Sequence, residues 1–266
     1  STADPLRIAL FQYAARDEPV GARLDRLDAA AGRAAARGAR LLITPEMYLS
    51  GYALPRRTIH ARAEARDGEA AHAVAALCRR HGMAIVYGYP ESAEGIVYNT
   101  ARCIDADGAT RAVHRKRKLA GPGERAVFAP GGGDMAAFTC AGFRLALLIC
   151  YDAEFPELVR ACAMAGAEAL VVPTALVVEH PFVARHMIPT RAFENGIHLA
   201  YVNYAGCEGA ANYLGESTVA GPDGDPLARA GDGEQLVIAD IERGRMERAR
   251  ATLPYLDDAQ DLTPPA

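Results

Sequence analysis

The sequence predicts an α/β protein, and three observations carry that prediction. Short, almost wholly apolar runs recur, such as LLIT (41–44), MAIVYGY (83–89) and ALVVPTA (169–175). Segments of helical period lie between them. One order of elements, strand–helix–strand–helix–strand–hairpin, occurs twice along the chain. Apolar runs without polar alternation read as strands buried on both faces, the pattern of parallel sheets covered by helices. No Pro/Gly/Ser-rich linker separates the two occurrences, so residues 1–266 read as one domain.

Taken in order, STADP (1–5) reads as a frayed terminus and RIALF (7–11) as the first strand. Val20 to Arg37 has Leu24, Leu27 and several alanines on one face and stops at Gly38, which predicts a helix. LLIT ends at Pro45-Glu46. Residues 50–66 are polar and arginine-rich, a loop or short helices. A helix over about 69–81 closes at Gly82, and MAIVYGY follows as the third strand. NTARCID (99–105) and TRAVHRK (110–116) flank an Asp-Gly turn, a strong hairpin signal.

The second occurrence begins with RLALLIC (144–150), a strand expected to end on Cys150. Its helix runs to about Met164, before Gly166, and ALVVPTA is the next strand. A helix over about 182–194 contains Pro189, which predicts a kink or a restart there. IHLAYVNYA (197–205) is a strand. ESTVAG, Pro222-Asp223-Gly224 and EQLVIADIE read as a closing hairpin.

Composition narrows the function. The chain is half hydrophobic and carries a net charge of −4, so no general basic field invites nucleic acid or a membrane surface. No apolar run approaches a bilayer span. Cysteines at 78, 103, 140, 150, 162 and 207 form no C-x-x-C pair, which suits free thiols in a reducing cytoplasm. Histidines at 60, 72, 81, 114, 180, 186 and 198 lack ligand spacing, and no metal or organic cofactor is expected.

Reactive groups of α/β sheets collect beyond the carboxyl ends of parallel strands. Glu46 stands at one such end, Cys150 at another, and HRKRKL (114–119) directly follows the first hairpin. A carboxylate, an ammonium and a thiol could supply a base, an oxyanion stabiliser and a nucleophile. A thiol near the start of the helix at Pro156 also feels its dipole, which favours the thiolate. Each residue has a plainer reading: Cys150 as a small core residue, Glu46 as a cap, the basic run as solvated surface. Their joint placement favours chemistry.

Three segments, LLITPEMYLSGY, VHRKRKL and LLICYDAEFPE, together with their spacing, resemble the nitrilase-like carbon–nitrogen hydrolases over nearly the whole chain. The resemblance implies a four-layer α-β-β-α sandwich built from two similar halves. It implies Glu46 as general base, Lys116 as oxyanion stabiliser and Cys150 as nucleophile, with Glu124 in GERAVFAPG as a second glutamate beside the lysine. Tyr151 is expected to offer its backbone N–H to the oxyanion. Tyr52, Thr174 and Glu154 join the expected substrate-binding set. Arg191-Ala192-Phe193-Glu194-Asn195 matches a structural ion-pair element. A homodimer or larger homo-oligomer is expected, with the tail from about 245 at its interface.

Departures from the pattern sharpen the expectation. The lysine segment of relatives often reads YRKxHL, where this chain has His114 and Lys118. Tyr151-Asp152 stands where true nitrilases usually show Trp-Glu, which favours an amide over a nitrile. Many relatives read CYDxRFPE, where this chain has Glu154. An anion in place of a cation favours an ammonium or neutral group on the substrate. With VYGYPE and NYxG, the chain most resembles amidases acting on 5-aminopentanamide, a small ω-amino amide. A competing reading makes Glu154 the cap of the following helix. The other classes left open are an N-carbamoyl amine hydrolase and a non-catalytic binding or scaffold protein. A redox thiol protein is disfavoured by the absence of a resolving C-x-x-C partner.

Overall fold

The computed structural model describes residues 4–260; of the expected frayed terminus, residues 1–3 lie outside it, as do 261–266 of the tail. In chain order, β1 (Leu6–Gln12) leads to α1 (Val20–Ala36), whose buried Leu27, Ala30, Ala31 and Ala34 form one helical stripe. β2 is Leu41–Ile43, α2 is Arg56–Ala61 and α3 is Glu69–His81. Gly82 ends α3 in the left-handed region at φ 62°, a conformation open to glycine at little cost. β3 (Ala84–Ala93), β4 (Ile96–Ile104) and β5 (Thr110–Arg115) then form an antiparallel meander. α4 is Gly121–Val127.

The second half starts with a strand not anticipated from the sequence, β6 (Ala137–Cys140), which pairs with β7 (Phe143–Leu147). α5 (Pro156–Met164), β8 (Ala169–Pro173), α6 (Ile188–Phe193) and β9 (His198–Val202) follow. Pro189 marks a restart: Val183–Met187 is a π-helical turn, and α6 begins after it with the proline in its first turn. β10 (Ala205–Glu208) and β11 (Ala211–Leu214) make a small hairpin, also unanticipated. β12 (Thr218–Ala220), β13 (Pro226–Arg229), β14 (Gln235–Ile241), α7 (Arg243–Thr252) and α8 (Tyr255–Asp258) complete the chain.

The strands form two six-stranded sheets, in the orders β14-β1-β2-β3-β4-β5 and β13-β12-β9-β8-β7-β6. Each is built on three parallel strands, β1-β2-β3 and β7-β8-β9. The inner faces meet in a core of residues such as Leu10, Ile43, Val86, Leu147, Val171 and Val202. α1 and α3 cover one outer face through Leu27, Val74 and Leu77, and α5 and α6 cover the other through Val159 and Ile188. The result is the four-layer α-β-β-α sandwich.

Two expectations are corrected. β7 ends at Leu147, three residues before Cys150, which instead opens a 3₁₀ turn, Cys150–Glu154. The closing hairpin pairs β12 with β13, while β14 crosses to the first sheet and lies antiparallel to β1 from Leu6↔Ile241 to Gln12↔Gln235. Its composition explains the crossing: Ala239 and Ile241 point into the central core, and Leu236 and Ile238 pack towards α1. A strand apolar on both faces belongs inside a layered sheet rather than in an exposed ribbon.

Candidate active site

Glu46 leaves the carboxyl end of β2 and is fully buried. The next residue, Met47, has φ 55°, an uncommon conformation for a side chain of that size, and it turns the chain sharply there. Gly88 lies directly under this turn, and any Cβ on it would collide with the Met47 nitrogen. Tyr204 donates its hydroxyl hydrogen to the Glu46 carbonyl at 2.7 Å, and the Glu46 N–H donates to the Thr174 carbonyl at 3.2 Å.

β5 runs in the same direction as β3, so its end delivers Lys116 to the same edge of the sheet. The Lys116 N–H donates to Asn99 at 2.8 Å, and its carbonyl accepts from Gly131 at 2.7 Å. The ammonium reaches Glu46 Oε1 at 2.7 Å and Glu124 Oε1 at 2.5 Å, all three groups being buried. Tyr52 donates to the same Glu124 oxygen at 2.5 Å, and Ala120 N–H donates to the other at 2.7 Å. Glu124 and Tyr52 therefore stand beside the lysine.

Cys150 comes from the opposite sheet and is buried, with φ 45°. Strain of this kind costs roughly 1–3 kcal/mol and clusters at functional sites. The thiol is not at the N-terminus of α5, and the expected dipole-stabilised thiolate is not found. Burial, then the Glu46 charge, pushes the thiol well above its ordinary range, against the weaker opposing pull of Lys116, the Ala175 N–H and Thr174. These surroundings favour the neutral thiol over the thiolate.

Glu46 is suited to act as a base. Burial raises its pKa to about 7; Lys116 opposes the shift, and Glu124 adds to it. Burial also disfavours the Lys116 charge, but Glu46, Cys150 and Glu124 outweigh it and keep the ammonium protonated. One cation thus faces two carboxylates and a thiol in a buried site. Fields in such a site act far more strongly than in water. Glu46 Oε2 and the buried hydroxyls of Thr174 and Tyr201 complete no hydrogen bond within the protein.

The remaining expected residues divide. Glu154 does not cap α5, whose N-cap is Phe155 and lacks a side-chain cap. Its half-buried carboxylate is raised by burial and feels His180, Lys116 and Arg191. The Tyr151 ring packs edge-on against Phe155 with centroids 5.0 Å apart. Arg191 pairs with Glu194 at 3.0 Å and donates to the carbonyls of Ala153 (3.3 Å) and Glu154 (2.9 Å), holding the 3₁₀ turn that begins at Cys150.

Sequence reasoning missed Asn99, which donates to Glu46 Oε1 at 2.6 Å, and the carboxylate of Asp152. Asn99 carried a readable signal, a polar residue inside an otherwise buried strand. Among the described residues no group of three or more His, Cys, Asp or Glu is placed to hold a metal ion, and no helix is long and apolar enough to cross a membrane.

The family model for carbon–nitrogen hydrolases matches residues 7–251. A relative described as "Hydrolase in pqqF 5'region", from Pseudomonas protegens, is 43% identical over 254 residues, covering 95% of this chain and 88% of its own. An (R)-stereoselective amidase from Pseudomonas sp. is 31% identical over 255 residues, covering 95% and 91%. Among solved structures, an amidase of the nitrilase superfamily from Nesterenkonia sp. AN1 superposes with a TM-score of 0.83 at 36% identity, covering 98% of this chain and 96% of its own. That amidase has been seen with the acetamide moiety of fluoroacetamide on its active-site cysteine, and in complex with butyramide. Fold and relatives together define a hydrolase of carbon–nitrogen bonds. The chain belongs to the carbon–nitrogen hydrolase family.

Proposed function

We propose that this protein is a thiol amidase that converts a small aliphatic amide to its carboxylate and ammonia. The observation that carries the reading is the buried set of Lys116 within 2.7 Å of Glu46 and 2.5 Å of Glu124, close enough to the buried Cys150 for its charge to act on the thiol. In the first step Glu46 takes the Cys150 proton while the sulfur attacks the amide carbonyl carbon. The oxyanion is held by the Lys116 ammonium, with the Tyr151 backbone N–H as second donor. Glu46 returns the proton to the departing nitrogen, ammonia leaves, and a thioester remains on Cys150. Glu46 then takes a proton from water, whose oxygen attacks the thioester, and the regenerated thiol closes the cycle.

The acyl chain carries an ω-ammonium in this reading, as in 5-aminopentanamide. Supporting it is the Glu154 carboxylate, which has no capping role and lies within the field of Lys116. The buried Tyr201 and Thr174 hydroxyls lie near Cys150. The working form is a homodimer, with the segment from about 245 at the interface; exposed Phe193, Leu253 and Tyr255 support that assignment.

An ammonia-release screen over small amides, with Cys150→Ala beside the wild type, tests the reading. Release that depends on Cys150, with a trapped acyl adduct on that residue by mass spectrometry, is expected. Release that survives Cys150→Ala overturns the mechanism.

A further inference from the structure

Glu46, Lys116 and Glu124 stand on the first sheet and its loops, and Cys150 stands on the second. The spacing of ammonium and thiol is therefore a spacing between two separately built layers. The buried polar link between the lysine segment and the nucleophile turn converges on one side chain, that of Asp152, which is fully buried. Its Oδ1 accepts from the N–H groups of Arg117 at 3.1 Å and Lys118 at 2.8 Å. Its Oδ2 accepts from the Ile149 N–H at 3.2 Å and from His114 Nε2 at 2.8 Å. Three of these donors bracket Lys116 in sequence, and the fourth immediately precedes Cys150.

A carboxylate offers about four acceptor sites, and here four donors occupy them. That saturation offsets the cost of burying the group. Because the partner oxygen only accepts, His114 Nε2 carries the hydrogen of this bond. His114 lies on β5, two residues before Lys116, and is itself buried. Its ring spans from the first sheet to the turn that follows β7 of the second.

We infer that Asp152 and His114 form a positioning pair that sets the distance between the Lys116 ammonium and the Cys150 thiol across the two sheets. Neither touches the substrate; both act through the residues they hold. The inference rests on Cys150 as nucleophile and Lys116 as oxyanion donor. Misplacement of reacting groups by about 1 Å costs on the order of 100-fold in rate. An error in ammonium placement is felt when the oxyanion forms, so it lowers kcat and leaves ground-state binding largely alone.

The test uses Asp152→Asn, His114→Leu and His114→Gln, the last placing an amide Nε2 where the ring Nε2 donates. Turnover is measured on the fastest of acetamide, butyramide and 5-aminopentanamide. In parallel, alkylation of Cys150 by iodoacetamide is followed, a displacement that develops no oxyanion. Asp152→Asn and His114→Leu are expected to fold, to lose about 10- to 100-fold in kcat, and to keep KM and the alkylation rate within about threefold of wild type. His114→Gln restores most of kcat. Three outcomes overturn the inference: kcat unchanged in the folded variants, turnover and alkylation falling together, or His114→Gln no better than His114→Leu. Failure of the underlying reading is distinguishable, because it appears as wild-type turnover that survives Cys150→Ala.

Discussion

Asn99 Nδ2 donates to Glu46 Oε1 at 2.6 Å, the same oxygen that Lys116 contacts, and so leaves Oε2 without a protein partner. Two donors on one oxygen fix the rotation of the carboxylate and leave the other oxygen buried without a protein donor. Hydrogen bonds to charged groups contribute about 1.5–3 kcal/mol. Asn99→Leu is therefore expected to lower kcat/KM by roughly 10- to 100-fold while retaining the fold, as judged by circular dichroism and steady-state kinetics.

The pH dependence follows from the Glu46 carboxyl, raised to about 7 by burial and by Glu124. The base must be ionised to accept the thiol proton, so kcat/KM falls as pH drops through about 7. Glu124→Gln removes a neighbouring negative charge, so the acidic limb moves to lower pH even though the maximal rate drops. A limb that stays in place, or moves up, contradicts the assignment of Glu46 as base.

Stability should respond in the opposite sense to activity. A carboxyl raised in the folded state contributes its stability fully below the unfolded pKa of about 4.5 and loses it as pH rises through about 7. Glu46→Gln mimics the protonated form, so above pH 7 it should melt higher than wild type. A shift of that size corresponds to on the order of 3 kcal/mol, hence a gain in Tm of several degrees that shrinks towards pH 5. Calorimetry at pH 5 and pH 8 measures the difference, and an equal gain at both pH values would count against it.

On the ω-ammonium proposal, Glu154 sets the substrate preference. With the carboxylate half-buried and uncommitted to a helix cap, kcat/KM should favour 5-aminopentanamide over pentanamide. Glu154→Gln should remove most of that preference, about tenfold or more, while sparing pentanamide. Equal rates on both amides sink the ω-ammonium proposal. Carbon dioxide released together with ammonia would mark a carbamoyl substrate instead.

Gly88 should tolerate nothing larger. A Cβ there meets the Met47 nitrogen and the Glu46 carbonyl carbon, so the backbone carrying the base must move. Gly88→Ala is expected to cost about 1–3 kcal/mol by denaturant titration and to lower kcat further than the lost stability explains.

Much of this was legible in the residues because local pattern and tertiary role agree. α1 and α3 stop at the glycines that their apolar stripes predict, and Asp107-Gly108 turns β4 into β5. Lys116 follows directly on β5, and Glu46 stands three residues past the end of β2. The reading failed where identity is set by partners distant in sequence. β14 looks like the second arm of a local hairpin, and its place is set by a partner, β1, more than two hundred residues away. β6, β10 and β11 are four residues each, too short for a period to emerge. Cys150 was placed on a strand because its apolar run is unbroken; the positive φ that separates it from β7 has no sequence signature in a non-glycine residue. Asp152 and His114 are visible in the sequence only as departures from the family pattern; their common place is set by burial and four hydrogen bonds to residues distant in sequence.

The return of β14 to pair with β1 has a consequence for biogenesis. β1 cannot gain its antiparallel neighbour until residues 235–241 have left the ribosome, so its sheet remains open on that side while the more than two hundred residues between them are made. Pairing across more than two hundred residues is entropically slow to form. During that interval the backbone edge of β1 is available to any other extended segment, and a nascent chain stalled short of β14 should be a client of strand-shielding chaperones rather than a working half-enzyme.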